Sequence, residues 1–197
     1  MDVTPAPSLR RAILAVASLN LGYFFVEFGA AISIGSVSLF ADSIDFLEDA
    51  SVNLLILLAL GWSLRARSRV GMALAVILLV PGIATLWTVW QKIAAPLPPE
   101  PITLSVVGAG ALAINLTCAL ILARFRKHCG SLTKAAFLSA RNDAYANIAI
   151  IAAGLVTAFT QSVWPDIIVG LAIAAMNAGA AKEVWDAARA EGEDARA

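Results

Sequence analysis

The stretch ITLSVVGAGALAINLTCALILA, from Ile102 to Ala123, holds 22 residues and no charge. A helix crossing the hydrocarbon core of a bilayer needs about 20 apolar residues, so this segment is long enough to span on its own. Val70–Gln91 and Ala144–Pro165 match it, each 22 residues long and uncharged. Three more apolar segments, near 12–34, 37–64 and 167–181, are interrupted or bounded by acidic residues. The whole chain follows the same trend: of 197 residues, 60% are hydrophobic and 14% charged, with a mean hydropathy of +0.82. Soluble domains carry about 25% charged residues, and disordered chains lean further toward charge. Both classes are excluded.

The pattern predicts an all-α, polytopic membrane protein: a bundle of six transmembrane helices at about 12–34, 38–62, 70–91, 102–123, 133–159 and 165–186. Residues 1–11 and 187–197 remain as short tails, leaving no room for a soluble domain. Gly35 suits a tight turn after the first span, and the Pro96–Pro101 run cannot be helix. Pro81-Gly82 falls inside the third span, where neighbouring groups can re-satisfy the freed carbonyl.

Charge sets the expected orientation. With six spans, Arg10, Arg11, Arg65, Arg67, Arg69, Arg124, Arg126, Lys127, Lys134, Lys182, Arg189 and Arg196 share one face; Lys92 alone takes the other. Basic loops stay inside, so both termini are expected in the cytoplasm, with the protein in the plasma (inner) membrane. The basic pair and apolar run at the start differ from a signal peptide, because the run contains Glu27 and no small-x-small cleavage site. Cys118 and Cys129 form no C-x-x-C, and His128-Cys129 sits among repelling cations. The five tryptophans fall near span ends, as interfacial anchors do. No nucleic-acid partner is expected.

The acidic residues within these spans are the costly feature, at about 2.5–3.5 kcal/mol each. At about 100° per residue, Asp42, Asp45, Asp49 and Asn53 fall on one stripe of the second span, with Glu48 beside it. Asp45 and Asp49, one turn apart, can converge on one ion. Two such carboxylates repel when empty and hold a proton, which a divalent cation can displace. In the fifth span, Ser139, Asp143 and Asn147 share a face, with Asn142 alongside. All are oxygen donors acceptable to hard or borderline divalent metals. Spans 2 and 5 can therefore place Asp45, Asp49, Asp143 and Ser139 about a point near mid-membrane, where transporters put their sites. Four carboxylates within eight residues exceed what helix pairing requires; isolated Asn20 and Asn115 read instead as interhelical hydrogen-bonding groups.

These residues carry a resemblance. GSVSLFADSIDFLED, Gly35 to Asp49, resembles the second-span signature of the cation diffusion facilitator family, G-S-x-[AS]-L-x-A-D-[AS]-x-[HD]-x-x-x-D. AAFLSARNDAYAN, Ala135 to Asn147, is similar to the family's fifth-span pattern, WPDIIVGLAIA, Trp164 to Ala174, to the start of its sixth, and Glu27 sits where an acidic residue is common. The resemblance covers about residues 12–186 and implies a proton-coupled exporter of divalent metal ions, usually a homodimer. By position, the implied ligands are Asp45, Asp49, Ser139 and Asp143, with Asp42, Glu48 and Glu27 in support.

Two features depart from the family. Ser139 stands where relatives have His or Asp. An all-oxygen site weakens the preference for zinc and suits manganese, iron(II) or cobalt; Asn142 or Asn147 are the candidates for a further ligand. The cytoplasmic C-terminal domain of most relatives is expected to be missing, so a homodimer would have to form through the spans. Gly170, Ala174 and Ala178 make a small-residue face that fits close helix packing within one protomer better than between two. Arg141 points away from Ser139 and reads as an ion-pair partner of Glu48 or Glu27; the alternative is an internal cation competing with metal.

The leading reading is a secondary transporter with metal ion as substrate, protons as counter-ion and the lipid bilayer as its medium. The alternative is a non-transporting membrane metal sensor, or a subunit, that keeps the same fold. An intramembrane aspartyl protease is disfavoured, because the Tyr-Asp and Gly-x-Gly-Asp pair is absent. No enzyme activity is expected.

Overall fold

Helix boundaries follow from chemistry at each end. Glu100 caps the fourth helix, its carboxylate accepting from the N–H groups of Ile102 (3.0 Å) and Thr103 (2.5 Å), and Pro101 occupies the first turn. There the missing proline N–H costs nothing. Gly35 closes the first helix at φ +61°, and the Ser36 N–H returns to the Ala31 carbonyl at 3.0 Å. That left-handed corner is open to glycine without a Cβ penalty. The fifth helix ends the same way on Gln161, φ 50°, whose N–H reaches the Thr157 carbonyl at 2.8 Å.

The computed structural model describes residues 7–59, 64–124 and 130–194. These form six helices, α1 (Pro7–Ile34), α2 (Val37–Ala59), α3 (Leu64–Ala94), α4 (Pro101–Ala123), α5 (Gly130–Thr160) and α6 (Trp164–Asp194), with no strand among the described residues. They coincide in order and number with the six expected segments. The main differences are extensions. The Arg65–Arg69 segment expected as a loop forms the first turns of α3, since Arg and Ala are strong helix formers. The expected tail after residue 186 continues α6 to Asp194, helped by an exposed i,i+4 pair of Arg189 with Glu193 at 3.1 Å. α3 runs unbroken through Pro81-Gly82.

The helices associate mainly as α1 with α2, α4 with α5, and α3 with α6, while α2 touches each of the other five. α2 is thus the centre of the bundle. The burial pattern is inverted relative to a soluble protein. Asn20, Glu27, Asp42, Ser43, Asn115, Asp143, Asn147 and Asp166 are buried, whereas Phe25, Trp87, Trp90, Leu120, Phe159 and Ile168 lie exposed. A large apolar exterior around a polar interior is matched to lipid rather than water. Among the described residues, three helical segments are long and apolar enough to cross a membrane by length and composition alone: Ser8–Ile34, Pro101–Ala123 and Asn142–Thr160. The acidic residues of α2 set it apart from them and require it to be enclosed.

The α6 contact answers part of the small-residue question. Gly170 packs on the start of α2 so closely that a Cβ there would lie 2.8 Å from the Val37 carbonyl carbon and 2.9 Å from the Ser38 nitrogen. This part of the face is used inside the protomer.

Candidate metal centre

The start of α2 is fixed by α6. Asp166, fully buried, accepts from the Ser36 hydroxyl (2.7 Å), the Ser38 hydroxyl (2.7 Å) and the backbone N–H groups of Val37 (2.8 Å) and Ser38 (3.0 Å). A carboxylate at a helix N-terminus satisfies orphan donors and complements the helix dipole. Lys92, also buried, donates to the Gly35 carbonyl at 2.5 Å beside this carboxylate. The register of α2 is set at this end, and its acidic residues follow.

Along α2, Asp42 is fully buried, Glu48 and Asn53 are buried, and Asp45 and Asp49 are half-buried. They face polar groups of three neighbours. α1 contributes Asn20, Tyr23 and Glu27, which lie on one helix face three and seven residues apart. α4 contributes Asn115 and Cys118, members of its buried heptad-spaced stripe, and α5 contributes Asp143 and Asn147, one turn apart and both buried.

Three sets of contacts organise this interior. Asn115 donates to the Asn147 side-chain oxygen at 3.0 Å, and Asn147 donates to Asp42 Oδ2 at 2.5 Å, a relay from α4 through α5 to α2. Asn20 donates to Asp49 Oδ2 at 3.4 Å and accepts from the Cys118 thiol at 3.5 Å, joining α1, α2 and α4. The Glu27 carboxyl meets that of Asp42 at hydrogen-bonding range. Tyr23, beside that pair, donates to the Val107 carbonyl at 2.6 Å.

Asp45 lies within electrostatic reach of Asp143 first, then of Asp42, Glu48 and Asp49. α2 and α5 therefore bring opposing carboxylates near one another. Among the described residues, no group of three or more His, Cys, Asp or Glu side chains is gathered tightly enough to hold a metal ion. The contacts supply a physical reason: Asn147 holds Asp42, and Asn20 holds Asp49, each toward a neutral amide.

The remaining expected residues divide clearly. The side chains of Ser139 and Arg141 lie outside the described set, as do Trp62, His128 and Cys129. Asn142 lies at an exposed position on α5. Asn147, read from its spacing as a candidate ligand, has both ends of its amide engaged, by Asn115 and Asp42; its position is that of a strut between helices. Asn53 donates to the Asp49 carbonyl at 2.7 Å, so its amide stays within α2. The sequence reading passed over Asn20 as a ligand-holding residue. Its signal was available in the seven-residue spacing to Glu27, which puts both on the buried face of α1.

Curated proteins gave no match to this sequence. The cation efflux transmembrane domain model matches residues 13–189, almost the whole chain and all six helices. Its members are transporters rather than enzymes, and its fold is a polytopic helical bundle. A polar seam lined by acids, enclosed by helices that expose their apolar sides, is the arrangement such a domain needs; the chain belongs to the cation efflux family of integral, multi-pass membrane transporters.

Proposed function

We propose that the chain is a proton-coupled antiporter exporting a divalent transition-metal ion, with Asp45 and Asp49 of α2 and Asp143 of α5 as ligands and Ser139 as a fourth. The observation that carries this reading is that α2 and α5 set Asp45 and the buried Asp143 within electrostatic reach of each other along one polar seam. Carboxylate and hydroxyl oxygens favour manganese, iron(II) or cobalt, with zinc a weaker substrate for want of imidazole or thiolate. The metal enters as substrate: Asn20 releases Asp49 so that the acids close on the ion. Protons taken from the opposite side reload those acids and complete the exchange. The excess of Lys and Arg on the connections of one face supports cytoplasmic termini and export from the cytosol.

Purified protein in vesicles containing a metal-sensitive dye tests the reading directly. An imposed pH gradient should drive manganese or zinc uptake by the parent chain, and Asp49→Ala and Asp143→Asn should each reduce it to the level of empty vesicles. Uptake by Asp49→Ala equal to that of the parent would dismiss the assigned ligands. No metal movement by the parent under any gradient would leave the fold serving as a sensor or subunit.

A further inference from the structure

The deepest polar groups of the bundle are unused by the metal reading. Glu27 is fully buried, and neither of its carboxyl oxygens has a hydrogen-bond donor among the described residues. Asp42, also fully buried, has one oxygen filled by Asn147 and the other, Oδ1, without a donor. Yet the two carboxyls are neighbours at hydrogen-bonding range. An ionised carboxylate only accepts, whereas a protonated one also donates. Two ionised groups facing each other here would lack a donor in a medium where an isolated charge is most costly. A single proton between them supplies the missing donor and gives a strong, charge-assisted O–H···O⁻ bond.

We infer that Glu27 and Asp42 form a dedicated proton-binding pair, separate from the metal ligands. The inference rests on the antiporter reading only for its role in transport, since the pair stands on its own geometry. The other titratable groups facing it are the Tyr23 phenol, from α1, and Asp45, from α2. α4 and α5 present the neutral amides of Asn115 and Asn147, and no cation acts on the pair among the described side chains. A metal ion is a poor occupant, because no third acid closes around the two carboxyls. A proton needs no coordination space.

The connection to the metal runs through α5. Asn147, which donates to Asp42, sits one turn after Asp143 on the same helix. Drawing Asp143 toward a bound ion shifts the donor that steadies the ionised Asp42. The pair then keeps or gives up its proton according to the position of α5. The proton of the pair thus sits on carboxyls the metal does not use, in addition to the protons that exchange on the ligands, and the two sites communicate through one amide.

Infrared spectroscopy of the purified, full-length protein at neutral pH tests the pair without requiring transport. With saturating manganese, which takes the protons off its own ligands, the parent should retain the C=O stretch of a protonated carboxyl shielded from water. Glu27→Gln and Asp42→Asn should each remove it. Absence of that band in the parent, or its persistence in both variants, overturns the inference. Where one variant does not fold, the other decides, with Glu48→Gln, whose carboxyl is also buried with an oxygen lacking a donor among the described residues, expected to leave the band in place. In vesicles holding a pH-sensitive dye and metal, protons moved per metal ion should fall in Asp42→Asn to the share carried by the ligands alone. Metal and proton movement falling together at an unchanged ratio would also overturn it. A parent that moves no metal defeats the antiporter reading and leaves the infrared result standing by itself.

Discussion

Asn20 donates its amide hydrogen to the Asp49 carboxylate across 3.4 Å while its oxygen accepts the Cys118 thiol hydrogen at 3.5 Å. The amide cannot be turned over without aiming its oxygen at a carboxylate, so the contact with Cys118 selects the donor end for Asp49. Asn20→Leu leaves the fully buried site without that donor. With no amide to let go of Asp49, metal affinity should rise about fivefold, in line with the loss of a competing hydrogen bond worth about 1 kcal/mol, while Asn20→Gln should stay nearer the parent. Titration of the purified protein with manganese measures both. Equal affinities in parent and Asn20→Leu would remove Asn20 from any role in orienting the acid.

Asp166 is the strongest structural anchor in the bundle. Its substitution by Ala strands two serine hydroxyls and two backbone N–H groups at the start of α2, all within a buried region. Hydrogen bonds to an ionised group are worth about 1.5–3 kcal/mol each, and the four share one carboxylate. Asp166→Ala should therefore lower stability by about 3 kcal/mol or more, read as a large fall in the unfolding midpoint in detergent. Asp166→Asn, which keeps one acceptor oxygen, should fall between the two.

Glycine positions should divide by what surrounds them. At Gly170 the added methyl group of alanine meets backbone atoms of α2, which cannot move aside without displacing the helix. Gly170→Ala should cost about 1–3 kcal/mol, the usual range for overpacking. Gly22, also within a helix, has open space where the Cβ would go. Gly22→Ala should stabilise by about 0.5–1 kcal/mol through lost unfolded-chain freedom and better helix propensity. Paired thermal unfolding measurements test the contrast, and a destabilised Gly22→Ala would contradict it.

The Glu100 cap gives a pH-dependent end to α4. Hydrogen bonds from Thr103, then from Ile102, hold its carboxyl below its ordinary value of 4.5. A depressed carboxylate supports folding fully above its unfolded value, and that support is lost as pH falls through the lower, folded value. The amides of Ile102 and Thr103 should exchange with solvent faster once the medium is more acidic than the usual carboxylate range. In Glu100→Gln the same amides should exchange with no such acid step. The group is fully exposed, so the effect stays confined to the first turn.

The helices were readable in the sequence because lipid imposes a length and a polarity rule that uncharged runs such as Ile102–Ala123 obey without tertiary information. The acidic face of α2 was readable for the same reason, since a carboxylate in such a run has few innocent explanations. Partners were another matter. Asn147 lies on the face that the i,i+4 spacing predicts, but spacing cannot say whether an amide meets an ion or another side chain; here it meets Asp42 and Asn115. Asp166 stood inside a motif quoted for its resemblance, and its service to α2 depends on residues about 130 positions earlier. The extensions of α3 and α6 lay beyond the apolar pattern, where helix propensity rather than burial decides.

Asp166, Lys92 and the glycine-close approach of Gly170 all act at the same end of α2, the end bearing Gly35. That end of α2 is riveted to α6 and, through Lys92, to the last turn of α3. Between α2 and α5, by contrast, the shared surface is small and much of what joins them is polar. A transport cycle built on this frame has a stator: α2, α3 and α6 stay together at the Gly35 end, and α5, which packs chiefly on α4, can shift against α2 only by carrying α4 with it.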